Sequence, residues 1–284
     1  MQPPITSTAV IFVSLLLFCV QAFAMEEDEY AEQDFLFLLE EAYTQDQGEW
    51  QFSLSLGYFD NLEEEETDEQ AVVDKRTDLW AGLLGVEYGI TDRLQIELEL
   101  PYLRQEIEEA DETSRDSGIG DVEFALGYAL IEEQRNAPQL TAGLEVVAPT
   151  GDEDNGLGAG AWGWGPFVAL SKQVIPKLYL HANLAYQMTN DAEEDGEKQD
   201  ERELEYGIAA VYQPTDELDL ILELVGAYEK EKNDEATEHS NALQLVPGIK
   251  YEMENELQVG AAVVVGLNND TFDIGGMVKL QYEF

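Results

Sequence analysis

Carboxylates at alternate positions are the side chains of this sequence with the most chemistry to offer. Glu97 and Glu99 flank Leu98, and Glu123, Glu145, Glu205 and Glu223 each stand between apolar neighbours. On an extended chain this spacing sends the carboxylate to one side and hydrocarbon to the other. Around an enclosed aqueous lumen, such carboxylates raise the local concentration of cations and disfavour anions. These six residues are therefore the expected selectivity candidates of a pore. Glu87, Asp121 and Asp219 fall on the same face, with Lys250 and Lys279 as its bases.

Other chemistries fit less well. Nucleophilic hydrolysis needs a base beside the nucleophile, and the histidines are His181 and His239. His181 falls on the inward face near Asn183, whereas an enzyme acting on bilayer lipid would need its base on the outer face. His239 lies in a connection beside Ser240. No enzyme is expected. Gly151-Asp152-Glu153-Asp154-Asn155-Gly156 suggests a calcium loop, but the Gly arrives one residue early and the closing Glu is missing. A solvated acidic loop is expected there. No metal site and no cofactor are predicted, beyond weak divalent-cation binding across acidic loops.

The elements that must position these carboxylates are strands. Reading back from Phe284 in steps of two gives Tyr282, Leu280, Val278, Gly276 and Ile274, and the same period recurs upstream. Twelve strands are predicted, beginning with Trp50–Tyr58 and ending with Phe272–Phe284, each of a length that crosses a bilayer when tilted. Long acidic connections (60–78, 104–119, 149–160, 190–202, 229–239) alternate with short turns, the pattern of extracellular loops and periplasmic turns. Aromatics gather near strand ends, among them Trp50, Tyr58, Tyr88, Tyr102, Tyr128, Tyr212, Tyr228 and Tyr251, where interfacial girdles sit. The expected fold class is all-β, a twelve-stranded antiparallel transmembrane β-barrel. Gly207, Gly226, Gly248, Gly260, Gly266 and Gly276 interrupt strands and read as close packing and curvature of the wall. A soluble β-sandwich shares the alternation but requires neither the terminal Phe nor the loop asymmetry.

Residues 1–24 read as a secretion signal, with an apolar run from Ala9 to Val20 before Ala22-Phe23-Ala24. Residues 25–48 form an acidic leader with one apolar knot, Phe35–Leu39, expected to be a periplasmic extension or a plug of the barrel mouth. The barrel takes 49–284. Cys19 lies in the signal, so a mature chain without cysteine is expected, which excludes disulfides and thiol chemistry. The formal net charge of −47 excludes nucleic acid as a partner. It suits a saline habitat or a surface that gathers divalent cations.

Gly89-Ile90-Thr91-Asp92-Arg93-Leu94, Pro101-Tyr102, Gly118-Ile119-Gly120-Asp121, Ala148-Pro149-Thr150-Gly151-Asp152 and Ser171-Lys172 resemble the outer-membrane family named for the meta-pathway of phenol degradation. Ala42-Tyr43-Thr44 and Gly48-Glu49-Trp50 resemble that family's entry into its first strand, and the likeness runs from about Ala42 to Tyr186. It implies a porin-like or transporter-like barrel of a Gram-negative outer membrane, passing small compounds, and brings no catalytic residue with it. The expected function is passive passage of small solutes through an acidic lumen. The alternative is a non-conducting barrel whose acidic loops bind divalent cations or lipopolysaccharide, the other expected partner besides outer-membrane lipid.

Overall fold

A strand in hydrocarbon must pair both of its edges, because lipid offers its backbone no hydrogen bonds, so strands span a membrane only as a closed sheet. The computed structural model describes residues 35–66, 72–109, 112–194, 197–232, 237–253 and 256–284. The expected signal (1–24) and the first part of the leader (25–34) lie outside the described residues. The described strand segments are β1 (Trp50–Glu66), β2 (Val72–Thr91), β3 (Leu94–Glu109), β4 (Glu112–Ile119), β5 (Val122–Ile131), β6 (Gln139–Ala148), β7 (Gly163–Ile175), β8 (Leu178–Glu194), β9 (Glu197–Tyr212), β10 (Leu218–Lys232), β11 (Thr237–Glu252), β12 (Leu257–Gly266) and β13 (Ile274–Glu283). Pairing is antiparallel throughout, and β1 closes onto β13 from Gln51↔Glu283 to Asp60↔Ile274. The segments β4 and β5 are two halves of one stave. Strand β3 pairs with β4 at Tyr102↔Ile119 and with β5 at Glu99↔Glu123, and the break falls at Gly120-Asp121. The barrel thus has twelve staves, as the alternation predicts.

The greasy faces look outward. Trp50, Leu56, Trp80, Tyr102, Leu126, Leu222, Ile249, Val278 and Phe284 are among the exposed large hydrophobics. The terminal Phe284 exchanges both backbone hydrogen bonds with Trp50, each 2.9 Å, and its ring stacks on Phe52 at 5.6 Å. The C-terminal aromatic therefore clasps the seam as well as facing lipid.

Four of the long acidic connections differ from the expected loops. Strands β1 and β2 stay in register as far as Glu66↔Val72, and β3–β4, β8–β9 and β10–β11 continue in the same way beyond the outer aromatics. Charged residues disfavour strands in isolation, but an established antiparallel register carries them onward as polar ribbons with cross-strand partners such as Arg115–Glu106 (2.6 Å). The segment 149–162 remains a loop, with one 3-10 turn at Glu153–Asn155.

The interior has two unlike walls. Inward residues of β2, β3, β5 and β6 include Glu87, Gln95, Glu97, Glu99, Glu123 and Glu145. Those of β9–β13 include Ala209, Val211, Ile221, Val246, Ala262, Val264 and Met277, a buried apolar cluster. The second wall departs from a simple polar lumen because it has a hydrocarbon guest, described next.

Candidate functional site: the barrel lumen

The leader's apolar knot lies inside the barrel against the apolar wall. Phe35, Leu36, Phe37 and Leu39 are buried together with the inward residues of β9–β13. Three wall glycines make room for them: a Cβ at Gly260 would meet the Phe35 ring at 2.5 Å, one at Gly248 the Phe37 ring at 2.3 Å, and one at Gly207 the Leu39 side chain at 2.2 Å. These glycines are close-packing positions as expected, but the packed partner is the leader. Gly226 accommodates the outward Tyr206 ring instead.

Burying this knot also buries its backbone, whose N–H groups must find acceptors. Glu223 supplies them. Its fully buried carboxylate accepts the N–H groups of Phe37 (2.6 Å), Leu38 (3.0 Å) and Leu39 (3.2 Å). On the other side Lys279 donates to the Leu36 carbonyl (2.9 Å) and pairs with Glu41 (3.1 Å), while its ammonium lies 5.1 Å from the Phe35 ring centre. Further along, Gln45 N–H donates to Gln95 (2.9 Å) and Tyr43 to Glu133 (2.5 Å). Residues 35–47 are thus fastened by hydrogen bonds, of which those to Glu223, Glu133 and Lys279 are charge-assisted and contribute about 1.5–3 kcal/mol each.

The structure brings four of the six predicted carboxylates together. Glu97, Glu99, Glu123 and Glu145, with Glu40 of the leader and Ala125, line a small cavity of ≈ 20 Å³, room for about one water. Register explains the grouping: Glu99 faces Glu123 across the β3–β5 pair, and Ala125 lies between Glu97 and Glu145 in the adjacent inward row. Among the described residues none of these five acids forms an ion pair. Glu205, on β9 opposite Ala185, lies outside this cavity. Glu223 is inward as predicted, but it anchors the leader rather than facing water. Its partner Phe37 is 186 residues away in sequence, so no local pattern announces the contact. Glu40 was assigned to the leader, with nothing to place it here.

Inward bases are neutralised in place. Lys250 pairs with Asp219 at 3.0 Å, both buried, and Lys172 pairs with Glu133 at 2.9 Å. His181 Nδ1 lies 2.6 Å from Ser171 Oγ, but both side chains are enclosed by the wall, and the pair sits far from the outer face that a lipid-cleaving base would occupy.

At the outer mouth, the two glycine-rich motifs 118–121 and 148–152 dock on each other. The stave break aims Asp121 at the loop, where its carboxylate accepts N–H groups of Thr150 (2.9 Å), Gly151 (2.7 Å) and Ala159 (2.8 Å). Thr150 Oγ1 donates to the Gly120 carbonyl at 2.8 Å and accepts Val122 N–H at 3.0 Å. Leu157 is buried beside Gly118 and Gly120. Loop 149–162 is therefore folded over the inner face of β4. A larger side chain at Gly158 would strike Asp121 at 2.4 Å. Replacing Asp121 with Ala removes three charge-assisted bonds, each contributing about 1.5–3 kcal/mol. Cleavage after Glu153 by a Glu-specific protease should then speed up at least about tenfold; an unchanged rate would show that the carboxylate does not hold the loop.

A family model described as "Putative MetA-pathway of phenol degradation" matches residues 70–284. The match reaches the C-terminal strand, well past the Tyr186 limit of the motif likeness. The fold is similar to that of the COG4313 outer membrane channel from Pseudomonas putida F1, with a TM-score of 0.67 and 14% identity over 86% of this chain and 98% of that one. It is also similar to the translocator domain of the autotransporter NalP from Neisseria meningitidis, with a TM-score of 0.51 and 13% identity over 84% and 90% of the two chains. At these identities the likeness shows the fold, a closed antiparallel β-barrel.

Proposed function

The chain belongs to this phenol-degradation MetA-pathway family, and on that premise we propose that it is a passive outer-membrane channel for small cationic or neutral solutes, gated by its own N-terminal segment. The single observation that supports this most is the asymmetry of the interior. Residues 35–39 cover the apolar wall, and the space left beside them is bordered by Glu40, Glu97, Glu99, Glu123 and Glu145 with no base paired to them among the described residues. A passage with this lining concentrates cations and disfavours anions. Glu205 extends the acidic lining further along the lumen, while Glu223 and Lys279 hold the gate. In the conformation described the cavity is small, so conduction requires the segment or loop 149–162 to shift.

The test is ion selectivity in planar bilayers. Replacing Glu97, Glu99, Glu123 and Glu145 with Gln preserves shape and removes charge, and the cation-to-anion permeability ratio should fall by about tenfold or more. An unchanged ratio would remove the acidic-lumen reading. Impermeable proteoliposomes that cluster on addition of Ca²⁺ would favour the alternative of a surface barrel instead.

A further inference from the structure

The 14 lysines and arginines of this chain are outnumbered by 61 acids, yet on β9 and β10 Arg202, Lys230 and Lys232 gather on the outward face. Tyr228 stands on the outward face opposite Leu204 and Asn241. The next outward row reads Arg202, Lys230, His239, and the one beyond it Asp200, Lys232, Thr237. The interleaved acids Glu201, Glu203, Glu229 and Glu231 take the opposite face. Two residues along a strand span about 6.6 Å, so the basic row stands one step beyond the outer aromatic girdle, at headgroup height.

We propose that this outward patch binds the phosphorylated headgroup of the outer leaflet's glycolipid. Lys230 and Lys232 are exposed and form no ion pair among the described residues. Arg202 is held in place by the Thr189 carbonyl (2.9 Å) and Asn190 Oδ1 (2.5 Å), and its one acidic neighbour on this face, Asp200, is 3.9 Å away. Below them Tyr228 and His239 stack at 5.8 Å with a 3.0 Å hydrogen bond, and the Tyr206 hydroxyl donates to Asn241 at 3.1 Å. Cations above a flat aromatic ledge match a phosphate on a sugar ring: the ammonium groups take the phosphate oxygens and the ring face takes the sugar. An unphosphorylated lipid would offer the lysines no anionic oxygens. The inference rests on the outer-membrane location and not on conduction, so an impermeable barrel would leave it standing.

Native mass spectrometry of the full mature protein in detergent, with EDTA present throughout, tests this with three lipids: bisphosphorylated lipid A, its dephosphorylated form and phosphatidylglycerol. Bisphosphorylated lipid A should bind at least about tenfold more tightly than the other two. K230E/K232E should erase that preference, and K177Q on a periplasmic turn should keep it. Heat-modifiable migration reports folding, and K230Q/K232Q serves if charge reversal prevents it. Equal affinity for the three lipids, a preference retained in the lysine variants, or binding that appears only on adding Ca²⁺ would each overturn the proposal. The last outcome would assign glycolipid contact to the acidic hairpins.

Discussion

Deletion of residues 35–47 should raise single-channel conductance by about an order of magnitude, because barrels wider than eight strands leave a lumen once the groups filling it are withdrawn. The deletion removes the Phe35, Phe37 and Leu39 side chains from the wall and leaves dimples at Gly260, Gly248 and Gly207. It also frees Glu223 and Lys279 to face water. Selectivity for cations should persist, since Glu97, Glu99, Glu123 and Glu145 remain. The point variant Glu223→Leu reaches the same end with less disturbance. Three backbone N–H groups lose their acceptor, each charge-assisted bond contributing about 1.5–3 kcal/mol, so openings should become long enough to resolve in single-channel records. Conductance equal to that of the parent in both variants would refute the gate.

Lys250→Met should be among the most destabilising substitutions in the barrel. Asp219 is 1% exposed and Lys250 5%, at 3.0 Å from each other. Removing the cation from a buried ion pair of this kind costs about 3–5 kcal/mol. Asp219→Ala should cost less, because Lys250 retains Glu252 at 3.6 Å. The double variant Asp219→Leu/Lys250→Met should recover most of the loss. Urea unfolding in lipid vesicles, followed by Trp fluorescence, gives all three values. A single variant as stable as the parent would mean that water reaches the pair.

The barrel was legible in the sequence because its signal is local. Trp50, Phe52 and Leu54 alternate with Gln51, Ser53 and Ser55, and lipid exposure demands that alternation of every stave. The polar ribbons were not legible: beyond Tyr58 and Tyr228 neither face meets hydrocarbon, so period two no longer separates strand from loop. Glu97, Glu99, Glu123 and Glu145 could be assigned a side by parity alone, and the β3–β5–β6 register gathers them. Glu223 reads as a lumen-lining carboxylate and Glu40 as part of the leader; their contacts depend on where the leader folds. Asp121 reads as an inward carboxylate like Glu123; its work as a latch needs the 149–162 loop across from it.

The buried leader also constrains how the molecule assembles. Gly48-Glu49 lead straight from the enclosed segment into β1, whose far edge meets β13 at the Trp50–Phe284 clasp. Closing the seam therefore fixes the start of the strand into which the enclosed segment runs. Seating of the segment and pairing of the two end staves are joined through Gly48-Glu49, and the final aromatic is the fastener of that joint.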